Sequence, residues 1–222
     1  MRHASLAVLL ALTACAHAEQ NPTAPPAQAA APAKAEPVAA AVDPASQPVV
    51  EFVSAAATRR GGTVTDTRYS EKPDDAAITA REFAAGVVTW TGQVGFGKGS
   101  QYAGVGFNVS ILPDGQTVSA TSFKSVTFRL ASPNNAVLRL RVSGSNEKVR
   151  NSGCYPVYVQ ATSKDLTEYT IPLSKFAPES WCAAQGVAIG ATLPELFGFE
   201  VADTNVKKAP TTFSVGSITL NP

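Results

Sequence analysis

The feature that most constrains this chain is a succession of short β-patterned runs from Phe83 onward. They include GVVTWTG, YAGVGFNVSIL, FKSVTFRLAS, VLRLRVSG, YPVYVQAT, EYTIPLSKF, LFGFEVAD and FSVGSITL. Turn chemistry separates them, as in PDGQ, where proline and glycine favour a tight turn. Only DDAAITAREF and ATLPELFG look briefly helical, and the proline of the second favours a short turn. About eight strands at this spacing predict an all-β fold, a β-sandwich.

Alternation within these runs separates a core face from an outward face. The core face is predicted to hold Val126, Phe128, Leu130, Leu138, Leu140, Val142, Tyr169, Ile171 and Leu173. The outward face then carries Arg129 on one strand and Arg139 and Arg141 on the next. In YPVYVQA we assign Tyr158 and Gln160 to the same outward face, opposite to Tyr155, Val157, Val159 and Ala161.

The first 18 residues have the anatomy of a secretory signal: a basic start, an apolar run over residues 4–12 and small residues after it. They contain two cleavage signals. LTAC at residues 12–15 has the form of a lipobox that would lipidate Cys15, whereas AHA before Glu19 has the form cut by ordinary signal peptidase. Either signal exports the chain, as a lipid-anchored outer-membrane protein in the first case and as a periplasmic or secreted protein in the second.

Residues 19–49 are rich in Ala and Pro and lack any aromatic residue or hydrophobic period. Such a segment buries too little apolar surface to fold, and we interpret it as a disordered, semi-rigid linker. A lipid-anchored domain needs a spacer of this kind, which favours the lipoprotein interpretation. All the aromatic residues lie between Phe52 and Phe213, so residues 50–222 form the predicted folded domain.

Charge and cysteines narrow the class of protein further. The chain has 18 basic and 17 acidic residues, without a basic stripe that would neutralise the phosphates of a nucleic acid. An exported chain meets an oxidising compartment, where Cys154 and Cys182 are predicted to form a disulfide. We therefore expect a neutral exported domain that does not bind nucleic acid.

The order of several motifs resembles the jelly-roll carbohydrate-binding modules of family 11 and the wider galactose-binding-like superfamily. The motifs are YAGVGFNV, then FKSVTFRLAS and VLRLRV, then TEYTIPLSKF and a closing FSVGSITL. The resemblance covers residues 80–220. It implies a jelly-roll β-sandwich, the galactose-binding-like fold, and a polysaccharide or oligosaccharide as the ligand.

Catalysis is not expected. The histidines are His3 and His17, both in the signal region, which excludes Ser-His-Asp or Cys-His catalysis and histidine-ligated zinc in the folded domain. Glycoside hydrolases need a pair of carboxylates. The nearest candidates, Glu200 and Asp203, are three residues apart on a predicted strand and therefore point to opposite faces.

A sugar site needs aromatic rings for stacking and planar polar groups that grip hydroxyls. The predicted ligand-binding residues are Tyr158, Gln160, Arg139, Arg141 and Arg129, with Trp90 and Tyr102 as residues of either the core or the cleft rim. Trp181 is expected to pack against the disulfide because it precedes Cys182.

Asp74 and Asp75 are a candidate site for a structural calcium ion, because calcium prefers oxygen ligands. No other cofactor is expected. The sequence thus predicts non-catalytic polysaccharide binding by an exported domain. The alternative is a structural or assembly protein of the cell envelope, which binds a protein partner through the same sandwich.

Overall fold

A computed structural model describes residues 47–70, 75–94, 103–134, 136–204 and 210–222. The strands are β1 (Gln47–Val50), β2 (Val64–Ser70), β3 (Ala76–Ala84), β4 (Val87–Val94), β5 (Ala103–Ser110), β6 (Ser125–Ala131), β7 (Val137–Gly144), β8 (Val157–Ala161), β9 (Thr167–Pro172), β10 (Leu196–Asp203) and β11 (Pro210–Asn221). The α-helices are α1 (Glu147–Ser152) and α2 (Ile189–Thr192), and 3-10 helices span Leu173–Lys175, Ser180–Cys182 and Leu193–Glu195. In this part of the chain no helix is long and apolar enough to cross a membrane.

The strands form two antiparallel sheets, which we call the front sheet and the back sheet. The front sheet has the order β2-β5-β10-β7-β8. The back sheet has the order β3-β4-β11-β6-β9, with β1 also paired to β11. The inner faces of the two sheets share one hydrophobic core, so the predicted all-β sandwich is confirmed.

The core includes the alternate residues that the sequence pattern assigned to it, with Tyr169 only partly buried at its margin. Val126, Phe128 and Leu130 of β6 and Leu138, Leu140 and Val142 of β7 are all fully buried. Trp90 is also fully buried and stacks on Phe213 with ring centroids 5.1 Å apart. Of the two alternatives for Trp90, core or cleft rim, the structure therefore selects the core.

Three local features differ from expectation. Residues 76–83 of the run DDAAITAREF lie in strand β3 instead of a helical turn, because pairing with β4 outweighs local propensity. Within the described residues the first strand, β1, begins at Gln47, inside the predicted linker, and pairs with β11. Helix α1 was not predicted, although Asn146 caps its first turn and Gly153 ends it in the left-handed conformation.

The hairpin between β3 and β4 turns through Ala85 and Gly86, which both have positive φ, at 47° and 75°. Two consecutive residues with positive φ are typical of the tight turn whose twist matches that of the flanking strands. Glycine adopts this conformation freely, but alanine does so at a cost in free energy. Position 85 is therefore a point of backbone strain.

Candidate functional site

The outer face of the front sheet carries a pair of arginines beside a glutamate. Arg139 and Arg141 alternate with the buried leucines of β7 and so point away from the core. Glu200 of β10 lies directly opposite Arg141 in the antiparallel register. Residues directly opposite each other project to the same face, so all three side chains meet above the sheet.

These side chains form a connected set of ion pairs. Arg139 Nη1 lies 2.7 Å from Glu200 Oε1, and Arg141 Nη2 lies 3.0 Å from Glu200 Oε2. Arg139 also bonds both oxygens of Glu179, at 3.2 Å from Nε and 2.9 Å from Nη2. Burial acts to lower the pKa of Arg139, but the Glu179 hydrogen bond and the charge of Glu200 outweigh it and raise that pKa. The guanidinium is therefore held rigid and charged.

The disulfide fixes the loop that carries Glu179. Cys154 and Cys182 are bonded, with their Cα atoms 5.7 Å apart, which confirms the predicted pairing. The bridge ties the short helix Ser180–Cys182 to the segment that enters β8. It also constrains the backbone next to Trp181, whose side chain is 70% exposed and so is not buried against the disulfide as expected. The expectation for Trp181 was therefore wrong.

A cleft of about 780 Å³ lies over this part of the front sheet. Its lining includes Thr67 and Tyr69 of β2, the ion-paired Arg139, Glu179 and Glu200, and Trp181. The Tyr69 ring lies against the sheet over Gly104. A Cβ atom at position 104 would be only 2.3 Å from this ring, so a glycine is needed there. Burial raises the pKa of Tyr69 to about 12, the charge of Arg139 opposing it, so its hydroxyl stays protonated at neutral pH.

A second hollow of about 630 Å³ adjoins the cleft along the same sheet face. Arg141 lines both of them. In the second hollow Arg141 donates to Asn108 Oδ1 at 3.0 Å and stacks over the Tyr155 ring at 4.9 Å. The two hollows therefore meet at Arg141 on the outer face of the front sheet, and we call them together the groove.

Tyr158 and Gln160 do not share this face with the arginines. Tyr158 pairs with the buried Leu140, and Gln160 pairs with Leu138, so both are on the core side of β8. The Tyr158 ring packs on Phe176 with centroids 5.8 Å apart. The error is one of parity: β8 is an edge strand, where a tyrosine closes the margin of the core and Val159, on the opposite face, is 57% exposed.

Arg129 belongs to the other side of the molecule. It is on the outer face of the back sheet, 3.9 Å from Glu168 of β9, and takes no part in the groove. Tyr102, Asp74 and Cys15 lie outside the described residues. Asp75 is buried at the start of β3, and the described residues contain no group of three or more His, Cys, Asp or Glu side chains placed to hold a metal ion. The calcium site stays a prediction.

The sequence reasoning missed Tyr69, Glu179, Glu200 and Trp181 as residues of a ligand site. In β2 the residues on both sides of the alternation are polar, so the sequence does not single out the face that carries Thr67 and Tyr69. No sequence signal places Glu179 beside Arg139, because 40 residues separate them. The expected separation of Glu200 and Asp203 on opposite faces is confirmed by the unbroken register of β10 against β7 from Gly198 to Asp203.

Comparison with solved structures places the fold. The chain is similar to the family 11 carbohydrate-binding module of a cellulosomal cellulase of Clostridium thermocellum, with a TM-score of 0.52 and 14% identity over 81% of this chain and 96% of that chain. A family 11 module of Clostridium thermocellum in complex with a β-1,3-1,4-mixed-linked tetrasaccharide matches with a TM-score of 0.46 and 16% identity over 70% and 88% of the two chains.

No family model and no curated protein matches the sequence. At 14% identity the first of the two structural likenesses establishes the fold alone. The domain is a jelly-roll β-sandwich like that of the family 11 carbohydrate-binding modules, which confirms the resemblance drawn from the motifs.

Proposed function

We propose that this domain binds a polysaccharide without catalysing a reaction on it, and that the binding site is the groove on the front sheet. The observation that carries the proposal is the position of Trp181, a large aromatic side chain that is 70% exposed at a cleft lined by ion-paired arginine and glutamate. Stacking of a sugar ring on this indole removes apolar surface from water, which favours binding.

The groove contains both kinds of group that bind sugars. Trp181 and Tyr69 offer aromatic surfaces for the apolar face of a pyranose ring. Arg139 and Glu200 offer a donor and an acceptor whose positions are set by their ion pairs. Because these polar groups are already fixed, a sugar that replaces water in the cleft meets little loss of side-chain entropy. The similarity in fold to a carbohydrate-binding module supports the same class of ligand.

Binding without catalysis agrees with the way the two cleft carboxylates are used. A glycoside hydrolase needs one carboxyl group free to donate a proton and a second free to act as nucleophile or base. Here Glu179 and Glu200 both bond Arg139. We therefore expect no release of reducing ends when the protein is incubated with a glycan that it binds.

The proposal also covers the location of the protein. The signal at residues 1–18, the Cys15 lipobox and the linker support an exported domain anchored by lipid to the outer membrane. Metabolic labelling with radioactive palmitate tests the anchor. Label should enter the wild-type chain and be absent from Cys15→Ser, and equal labelling of both chains would refute lipidation at Cys15.

Binding is tested by affinity electrophoresis of the mature chain in gels that contain neutral or acidic polysaccharides. Trp181→Ala should weaken retention by about tenfold or more, as is typical for truncation of an aromatic anchor at a binding site. Phe83→Ala is the matched control, because Phe83 is an exposed aromatic residue of β3, at an edge of the back sheet. Equal loss in both variants, or retention on no glycan at all, would contradict the proposal. The second result would favour a protein partner.

A further inference from the structure

Charges of opposite sign alternate along the floor of the groove. The order is Glu179, Arg139, Glu200, Arg141, and each neighbour in this series is within 3.2 Å of the next. Among the described residues Arg139 has two carboxylate partners, whereas Arg141 has only Glu200, which it shares with Arg139. The series therefore ends on a guanidinium with one carboxylate partner.

The second hollow begins where this series ends. Arg141 faces it together with Arg150 of α1. Arg150 is exposed, and no carboxylate of the described residues forms an ion pair with it. Arg141 Nε is buried and has no hydrogen-bond partner in the described structure. One carboxylate, Asp114, also lines the hollow, where it accepts a hydrogen bond from Thr63. The described lining of this hollow thus includes two guanidinium groups, of Arg141 and Arg150, and one carboxylate, of Asp114.

The remaining lining is suited to a sugar ring. Asn108 and Ser143 supply polar atoms, and Tyr155 supplies an aromatic ring. Burial raises the pKa of Tyr155, against the opposing charge of Arg141, so its phenol is neutral at physiological pH. The volume of about 630 Å³ is in the range of sites that enclose small ligands.

We propose that the second hollow binds the carboxylate of a uronic acid residue between Arg141 and Arg150, within a polysaccharide chain whose neighbouring sugars occupy the cleft. A carboxylate at this position continues the alternation of charge and matches the two-pronged geometry of a guanidinium. Because Arg141 lines both hollows, consecutive sugars of one chain reach both. The inference rests on the proposed function and specifies its ligand as an acidic polysaccharide.

The main comparison is between a charged polymer and the same polymer with its carboxylates esterified. Polygalacturonate and its fully methyl-esterified form share a backbone, and alginate, a neutral β-glucan and a sulfated galactan complete the set. The mature chain should bind one or both of the uronate polymers at least tenfold more tightly than the ester or the neutral glucan. A tenfold difference is typical of one charge-assisted contact. Raising the salt concentration should reduce this preference.

The variant Arg150→Gln should lose about tenfold in affinity for the uronate polymer and show a weaker salt dependence. Lys148→Gln is the matched control, because Lys148 is an exposed cation on the same helix and does not line the groove. It should bind as the wild type does. A thermal midpoint of unfolding equal to that of the wild type establishes that both variants keep the fold.

The outcomes separate the two proposals. Retention of the neutral glucan with no preference for uronate over ester would overturn the uronic acid site and leave carbohydrate binding intact. Stronger binding of the sulfated galactan than of either uronate would also overturn it, since a sulfate ester would then be the preferred anion. Retention on none of the five polymers would refute carbohydrate binding itself. An equal loss in Arg150→Gln and Lys148→Gln would show a general effect of charge and no specific site.

Discussion

Replacing Glu200 by glutamine removes the negative charge that joins the two arginines of the groove. The Glu200 side chain is only 3% exposed, and its two oxygens bond Arg139 at 2.7 Å and Arg141 at 3.0 Å. Glutamine has the same size, but it places an amide NH₂ donor against one of the two guanidinium groups. Arg139 keeps Glu179 as a partner, whereas Arg141 is left without a carboxylate in the described structure.

The size of the effect follows from the burial of the charge that remains. Removing one partner of a buried ion pair costs about 3–5 kcal/mol. The Arg141 side chain is 20% exposed, so water solvates it in part, and we expect a loss of about 3 kcal/mol in the free energy of unfolding, at the lower end of that range. With a urea dependence of about 2 kcal/mol per molar, the midpoint of unfolding should fall by about 1.5 M.

The assay is urea unfolding under non-reducing conditions, followed by tryptophan fluorescence. Glu168→Gln is the control, because Glu168 is the exposed partner of Arg129, at 3.9 Å on the back sheet. An exposed pair of this kind contributes less than about 1 kcal/mol. A midpoint shift below about 0.5 M for Glu200→Gln, or a shift equal to that of Glu168→Gln, would refute the view that the buried ion pairs stabilise the fold.

Three further predictions concern other parts of the domain. Replacing Cys154 and Cys182 together by serine should lower the free energy of unfolding by about 3 kcal/mol. It should also weaken glycan binding, because the bridge constrains the backbone next to Trp181. Unchanged binding would contradict that role. The raised pKa of Tyr69 contributes a stabilisation that is present below pH 10 and is lost as the pH rises from 10 to about 12. Tyr69→Phe should therefore lose less stability over that range than the wild type. Parallel curves of unfolding free energy against pH for the two proteins would contradict the shift. The stabilisation is reduced by solvent screening, since the side chain is 39% exposed. Ala85→Asn should raise the free energy of unfolding by about 1 kcal/mol by relieving a residue at φ 47°, and a lower thermal midpoint than that of the wild type would contradict this.

The sequence predicted the sandwich and most of its core because alternation is a local property of each strand. Phe128 and Leu140 are buried as their parity requires. The disulfide was predicted from the number of cysteines and the expected compartment. Arg139 and Arg141 were placed on an outward face for the same reason as the core: each lies between two buried residues of one strand.

Alternation predicted the wrong face for residues at the margin of the sandwich. Tyr158 closes the edge of the core, and Val159 of the same strand is 57% exposed. The two tryptophans show the same limit. Trp90 is buried and Trp181 is exposed, whereas the sequence left Trp90 open between core and cleft rim and predicted that Trp181 packs on the disulfide. Solvent exposure at such positions depends on which other strands and loops cover them.

What this chain determines by itself is the period of its strands, the alternation that selects one face of each for the core, and the residues able to form a disulfide. These properties depend on the covalent geometry of neighbouring residues. The tertiary structure alone decides which faces meet. It places β10 beside β7, so that Glu200 lies opposite Arg141. Together with the disulfide, it also brings Glu179 and Trp181 to the same cleft. Those contacts join residues far apart in the chain, because strand pairing and side-chain packing act through space and leave no periodic trace in the sequence.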